Sequence, residues 1–158
     1  MIRMARATDV PALRELAELC IVAGIPANRE ASHDQVRAYA AEAYQDMEEM
    51  LRQKGFVILV EEENKVIVGY LMLDFAHTEP STGEKQCFIV DLGVHPERRG
   101  RFGTHRLIKK ASALAKARGL KYLVGMVSSS NDRTLQLGLK GLDFQVERVQ
   151  VVRRTDID

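Results

Sequence analysis

The chain has 158 residues and a formal net charge of +1, with 46% hydrophobic and 28% charged residues. This composition is ordinary for a globular protein, and the length predicts one domain over residues 1–158. A charge so close to zero argues against a protein built mainly to bind nucleic acid or an acidic surface.

The chain also carries signals about its cellular location. Cys20 and Cys87 lie singly in apolar runs, as expected of free thiols in a reducing cytoplasm. No apolar run approaches the ~20 residues that cross a membrane, and the first residues lack the apolar core of a signal peptide. We therefore expect a cytoplasmic protein without a membrane partner.

The first part of the chain predicts one strand and two helices. Residues 2–6 alternate apolar and basic side chains, which favours a short strand. A helix capped by Thr8 or Asp9 follows and ends before Pro26. Ser32 then has the spacing of a capping box, and the helix that it opens runs to Gly55.

The middle of the chain predicts strands. Residues 56–61 and 66–75 are rich in β-branched and apolar side chains and are separated by a short polar turn, which indicates a hairpin. A loop follows over 77–85, and residues 87–94 form the next predicted strand.

The last part predicts helix, strand, helix and strand over 104–118, 121–127, 131–140 and 144–152. The strand–helix–strand unit over 87–127 should be a parallel crossover. The predicted fold is thus of the α/β (α+β) class. It has a mixed, mostly antiparallel sheet of about six to seven strands, a parallel centre and helices on both faces.

A basic turn joins the strand at 87–94 to the helix at 104–118. Between Arg98 and Lys110 there are six lysines or arginines and no acidic residue. Backbone N–H groups, the positive end of a helix and guanidinium groups together suit a phosphate or pyrophosphate. The alternative is that these charges simply solvate the turn.

The same segment resembles the acyl-CoA signature of the GNAT family of N-acetyltransferases. Leu92-Gly93-Val94-His95-Pro96 matches the end of that family's central strand, and Arg99 and Leu107-Ile108 fall at matching positions. The resemblance implies a GNAT-like fold that binds acetyl-CoA, or another acyl-CoA, through loop amides. It implies the following cofactor-binding residues in this region: Leu92, Gly93, Val94, Arg99, Gly100, Arg101, Phe102, Gly103 and Thr104.

The loop departs from the family pattern at two positions. Phe102 and Thr104 stand where the family has its glycine and its glycine or alanine, whereas Gly100 and Gly103 stand at variable positions. A non-glycine residue in a left-handed conformation costs about 1–2 kcal/mol, and the Phe102 side chain could fill space that the pyrophosphate needs. A loop shifted to use Gly100 and Gly103 would avoid both costs.

A second matching segment follows the next predicted strand. The resemblance assigns Asn131 to the pantetheine arm of the cofactor, a role compatible with capping a helix. The tyrosine that in this family protonates the leaving thiolate is replaced by Gly138, so no acid carries over.

The family mechanism is direct attack of an amine on the thioester. The resemblance implies that a bulged backbone N–H near Leu92 to Val94 polarises the carbonyl. Asp91 is the candidate catalytic base, because it is the one acid in an apolar strand. Alternatively, it points outward or pairs with Arg99. In this family the second helix lines the acceptor side, so Tyr39, Tyr44, Met47 and Met50 either border that pocket or belong to the core.

The leading interpretation is an N-acyltransferase that moves an acetyl group from acyl-CoA to a primary amine of a small molecule or a protein. The alternative is a catalytically degenerate module of the same fold that binds CoA or a protein partner. Nucleic-acid binding through residues 98–110 is disfavoured by the near-neutral chain. The four histidines show no metal-ligand spacing, so no metal is expected. Whether the protein forms a homodimer is a question that the sequence leaves open.

Overall fold

A computed structural model describes residues 1–156 and contains one five-stranded sheet. Its strands are β1 (Ile2–Met4), β2 (Phe56–Glu63), β3 (Val66–Asp74), β4 (Cys87–Val94) and β5 (Leu123–Gly125). They lie side by side in chain order. The first four are antiparallel neighbours, and β4 and β5 are parallel. The predicted hairpin and the predicted parallel crossover are both confirmed.

Helices cover both faces of this sheet, as predicted. They are α1 (Val10–Cys20), α2 (His33–Ala43), α3 (Met47–Arg52), α4 (Gly103–Ala117) and α5 (Asp132–Gln136). Side chains of α1 and α3 pack on one face, which we call the α1 face. Side chains of α4 pack on the other, the α4 face.

Strand alternation divides the core between these faces. On β2, Ile58 and Val60 are buried on the α1 face, whereas Leu59 between them is buried on the α4 face. A strand that is covered on both faces has a nearly continuous run of apolar residues in its sequence.

The predicted count of six to seven strands is wrong, and so is the predicted last strand. Residues 144–152 form no strand within the described chain, although they are rich in valine. Val149 and Val151 are 78% and 86% exposed, and the segment is held through an ion pair between Arg148 and Glu79. Just beyond it, Arg154 forms an ion pair with Glu30. β-Propensity reflects packing against neighbouring strands, so valines without a partner strand do not form one.

The predicted helix from Ser32 to Gly55 is two helices. The capping box at its start is confirmed, because the Ser32 hydroxyl accepts from the Gln35 N–H at 3.2 Å. The break between α2 and α3 is held by Arg14, whose guanidinium donates to the carbonyl oxygens of Tyr44 (2.9 Å) and Gln45.

Two elements near the end of the described chain are shorter than predicted. β5 covers three residues, and α5 passes into a π-turn over Leu137–Gly141. None of the helices within residues 1–156 has the length and apolar character needed to cross a membrane.

Candidate active site

A β-bulge in β4 shapes the site. Met72 on β3 lies opposite Asp91, but the next residue, Leu73, lies opposite Ile89. Val90 is therefore an extra residue on β4. A bulge of this kind shifts which side chains point to which face of the sheet.

The bulge turns Asp91 to the α1 face. Ile89 packs on the α4 face before the bulge, and Leu92 and Val94 pack on that same face after it. Asp91 therefore shares the α1 face with Tyr70 of β3. Without the bulge, alternation would place the carboxylate beneath α4.

The Asp91 carboxylate accepts three hydrogen bonds. The hydroxyls of Tyr44 and Tyr70 each donate to Oδ2 at 2.7 Å, and the N–H of Leu92 donates to Oδ1 at 2.8 Å. Its partners are thus two phenols and an amide, not Arg99. Burial first, and the Asp91 charge second, raise the pKa of both tyrosines, so both stay protonated.

The predicted position of the bulged N–H is wrong by about two residues. The bulge lies at Val90 rather than near Leu92 to Val94, and the N–H of Leu92 is already bonded to Asp91. No glycine or proline adjoins Val90 in the sequence to mark the bulge.

β4 and β5 separate just after they pair. They are hydrogen-bonded from Cys87 to Ile89 on β4, opposite Leu123 to Gly125, and among residues 1–156 the rest of β4 pairs with no strand on that side. The end of this pairing implies a gap between the two strands beside Val90 to Val94, which we call the cleft. A cleft between the carboxyl ends of parallel strands is a common place for a ligand.

The turn after β5 forms the other side of this cleft. The Ser130 hydroxyl donates to the Ile25 carbonyl at 3.1 Å, which ties the turn to the segment after α1. The Asn131 side chain accepts from the N–H of Thr134 at 3.4 Å, so the capping role considered for Asn131 is present in the structure.

The basic loop presents backbone donors at the start of α4. The first intrahelical hydrogen bond runs from the N–H of Arg106 to the carbonyl of Phe102 at 3.0 Å. The N–H groups of Gly103, Thr104 and His105 precede it and have no intrahelical acceptor. Three donors at the positive end of a 15-residue helix suit an anion. The Glu61 carboxylate also lies near this end, but Arg106 pairs with it, so the backbone donors still fit a pyrophosphate.

The shifted-loop alternative does not remove the strain. Gly100 has a φ of 89°, but Phe102 is also left-handed, with a φ of 61°. The Phe102 side chain is 73% exposed, so it lies at the surface of the loop rather than in the core. The chain therefore accommodates phenylalanine in a conformation that glycine adopts without cost.

Two of the basic side chains have structural partners. Glu61 is 3% exposed and accepts from the Nε of Arg106 at 2.7 Å, and Glu63 lies 3.6 Å from Arg98. These two arginines therefore have a structural role at the turn, as the alternative interpretation of the basic cluster expects. Arg99 and Arg101 form no ion pair within residues 1–156.

The glycines of the predicted site have distinct surroundings. A Cβ at Gly103 would lie 2.6 Å from Oε2 of Glu61, and a Cβ at Gly100 would lie 3.2 Å from Nη2 of Arg133. Because position 103 has no side chain, the buried Glu61 carboxylate can lie at the N-terminus of α4. Because position 100 has no side chain, the Arg133 guanidinium can lie close to the loop.

Cys20 of α1 lies between the loop and Asp91. Its thiol donates to the Val94 carbonyl at 3.5 Å. Burial raises the pKa of this thiol, and the neighbouring Arg99 partly opposes that rise. Arg99 is thus a charged neighbour of Cys20.

An open cavity of about 430 Å³ lies beside the site, between the end of α1 and helix α2. Its lining includes Tyr39 and Tyr44, whereas Met47, another candidate for the pocket, is fully buried in the core. Tyr44 belongs to both the pocket and the core, because it is half-buried and its hydroxyl donates a hydrogen bond to Asp91. No cluster of His, Cys, Asp or Glu that could hold a metal occurs in the described residues.

Known structures share this fold over nearly their whole length. An aminoglycoside N-acetyltransferase, AAC(6')-Iy bound to a bisubstrate analog, has a TM-score of 0.74 and 19% identity, covering 98% of this chain and 97% of that one. The aminoglycoside 6'-N-acetyltransferase AAC(6')-IG from Acinetobacter haemolyticus has 0.72 and 18%, covering 100% and 99%. A ribosomal-protein-alanine N-acetyltransferase from Brucella melitensis has 0.67 and 18%, covering 98% of each chain.

At these identities the structures establish the fold alone, and no curated protein matches the sequence significantly. The sequence model of the acetyltransferase (GNAT) family, however, matches residues 25–144, which is most of the chain. The protein therefore belongs to the acetyltransferase (GNAT) family and is an acetyl-CoA-dependent N-acetyltransferase, as its sequence resemblance implied.

Proposed function

We propose that the protein transfers an acetyl group from acetyl-CoA to a primary amine of a small molecule or a protein, by direct attack of the amine. The observation that carries the proposal is the 2.7 Å hydrogen bond from Tyr44 to Asp91. It joins the cleft beside β4 to the cavity beside α2. The alternative of a catalytically degenerate module has no support from the comparisons.

Backbone groups and arginines would hold the donor. The free N–H groups of Gly103 and Thr104 and the side chain of Arg101 suit its pyrophosphate. The turn at Asn131 lies across the cleft from β4, which suits the pantetheine arm. Acetyl-CoA supplies the acyl group in activated form, as a thioester.

Tyr44 and Asp91 provide a path for the proton that the amine loses. The Tyr44 hydroxyl donates to Asp91, and its oxygen keeps acceptor capacity toward the cavity that it lines. The amine attacks in its neutral form, after an ammonium has lost its first proton to solvent. As the C–N bond forms and the C–S bond breaks, the nitrogen loses one further proton, which Tyr44 accepts as its own hydroxyl proton passes to Asp91. A nitrogen that has bonded to the acyl carbon is a much stronger acid than a free ammonium, so a phenol–carboxylate relay is sufficient.

The departing sulfur needs no dedicated acid. A thiol has a pKa of about 8.5, so a thiolate is a tolerable leaving group near neutral pH. This agrees with the lack of a proton-donating side chain at position 138, which is glycine. The nearest atom to a Cβ added there would be the Cβ of Phe144, at 4.0 Å. Solvent can supply the proton to the thiolate.

We also propose that the whole chain, residues 1–158, acts as one domain in the cytoplasm. Cys20 and Cys87 are free and buried, which suits a reducing compartment.

The test is thiol release from acetyl-CoA with a panel of primary amines, including an aminoglycoside because of the structural neighbours. We expect amine-dependent release in the wild type. Asp91→Asn should lower kcat by about 100-fold or more with little change in the KM for acetyl-CoA. Tyr44→Phe should lower kcat by a smaller factor.

Glu48→Gln serves as a matched control, because it removes an exposed carboxylate on α3 away from the cleft. Release that does not depend on any amine would contradict the transfer reaction. Wild-type kcat in Asp91→Asn would contradict the relay alone.

A further inference from the structure

The cavity beside α2 has an apolar lining. Its apolar members include Ile21, Ile25, Pro26, Val36, Tyr39 and Ala40. Arg29 is the one charged side chain among the lining residues, and no acidic side chain lines the cavity in the described part of the chain. At about 430 Å³ it has the size of a small-molecule site.

Two contacts place this cavity at the cleft. At one end Tyr44 lines it and donates to Asp91 of β4. At the other end Ile25 lines it and accepts from Ser130, next to Asn131. The cavity thus borders both sides of the gap between β4 and β5. An amine nitrogen at Tyr44 would leave the rest of its molecule in the cavity.

The charges of the lining discriminate among amines. An apolar group gains by leaving water for such a lining. A second ammonium group would meet no carboxylate among the lining residues, and it would be repelled by Arg29. From these features we infer that the acceptor is a monoamine with an apolar aryl or alkyl body, rather than a polycationic amine. This inference rests on the function proposed above.

The experiment compares 2-phenylethylamine with spermidine in the thiol-release assay. We expect kcat/KM for 2-phenylethylamine to exceed that for spermidine by about tenfold or more. Arg29→Glu reverses the one charge of the lining. It should lower the ratio of kcat/KM for 2-phenylethylamine to kcat/KM for spermidine by about fivefold. Arg37→Glu is the matched control, because Arg37 lies on α2 outside the lining and should leave the ratio unchanged.

Direct binding provides a readout that does not need turnover. Calorimetry with the CoA-saturated protein should detect 2-phenylethylamine, and Val36→Asp should weaken that binding by about tenfold. Val149→Asp, which alters a 78% exposed valine outside the cavity, should not.

The outcomes separate this inference from the proposed function. Turnover that favours spermidine overturns the acceptor class and leaves acetyl transfer intact. Absence of turnover with every amine overturns the proposed function. In that case binding of 2-phenylethylamine that Val36→Asp weakens still supports an apolar amine site, and no binding at millimolar concentration overturns it.

Discussion

The ring of Tyr70 lies in the space that a side chain at Gly93 would occupy. The two residues are directly opposite on β3 and β4, and a Cβ at position 93 would lie 2.7 Å from the Tyr70 Cζ and 2.8 Å from its hydroxyl oxygen. This placement lets the hydroxyl reach Asp91. Glycine at 93, which the family resemblance assigned to the cofactor, is therefore required by the tyrosine.

Gly93→Ala should displace the Tyr70 ring. Because Tyr70 is fully buried, the ring has little room to move, and we expect a loss of about 1–3 kcal/mol in the free energy of unfolding. Urea unfolding measures this loss, and kcat should fall with it. Gly24→Ala is the matched control for stability, since an added Cβ there meets nothing within 4 Å. Equal stability of the two variants would contradict the packing argument.

Glu61 and Gly103 should be energetically coupled. Gly103→Ala alone places its Cβ against the Glu61 carboxylate at 2.6 Å and should destabilise the protein by about 1–3 kcal/mol. In the Glu61→Ala background the clash is absent, so the same change should cost much less. A double-mutant cycle in urea would yield this coupling. Additive effects would show that the contact does not constrain position 103.

Phe102→Gly should relieve the left-handed strain of the loop. The relief of about 1–2 kcal/mol is partly offset by the flexibility of glycine in the unfolded chain, about 0.5–1 kcal/mol. We expect a small net gain in stability by urea unfolding and little change in acetyl-CoA binding by calorimetry, because the free loop already holds the left-handed conformation. Gly100→Ala should act in the opposite direction, because it adds a side chain at a φ of 89° beside Arg133. Weaker binding by Phe102→Gly would indicate that the phenyl ring contacts the donor.

Stability should fall at alkaline pH because of Tyr70. Its pKa is raised in the folded state, by burial first and by the Asp91 charge second. The folded protein therefore keeps a proton that the unfolded chain releases above pH ~10. The contribution is complete below that pH and is lost as pH rises toward the folded pKa.

Urea unfolding from pH ~9 to pH ~11 measures this dependence. Tyr70→Phe should flatten the decline by up to about 1.4 kcal/mol per pH unit, whatever its effect at pH 8. Tyr122→Phe alters a tyrosine that is 47% exposed and serves as the control. A decline of the same slope in Tyr70→Phe would contradict the assignment.

Local patterns in the sequence predicted most elements of the fold. The capping box at Ser32 and the hairpin before Phe75 depend on neighbouring residues, and the structure confirms both. The strand predicted at 144–152 failed because a strand needs a partner, which a run of valines does not specify.

The site was harder to predict because its contacts join distant segments. Asp91 stands out in an apolar run, but the bulge at Val90 that turns it toward Tyr44 has no sequence signal. Similarly, the acidic run at the end of β2 and the basic loop are each visible in the sequence. Only the fold brings Glu61 to Arg106 and leaves Arg101 without an ion pair among the described residues.

The most direct test of donor binding by the basic loop is calorimetric titration of the purified protein with acetyl-CoA, with CoA and 3′,5′-ADP as comparison ligands. We expect acetyl-CoA to bind in the micromolar range, more weakly in Arg101→Ala and equally well in Arg98→Ala, whose guanidinium already faces Glu63. Absence of heat and of thermal stabilisation at millimolar acetyl-CoA would contradict this expectation.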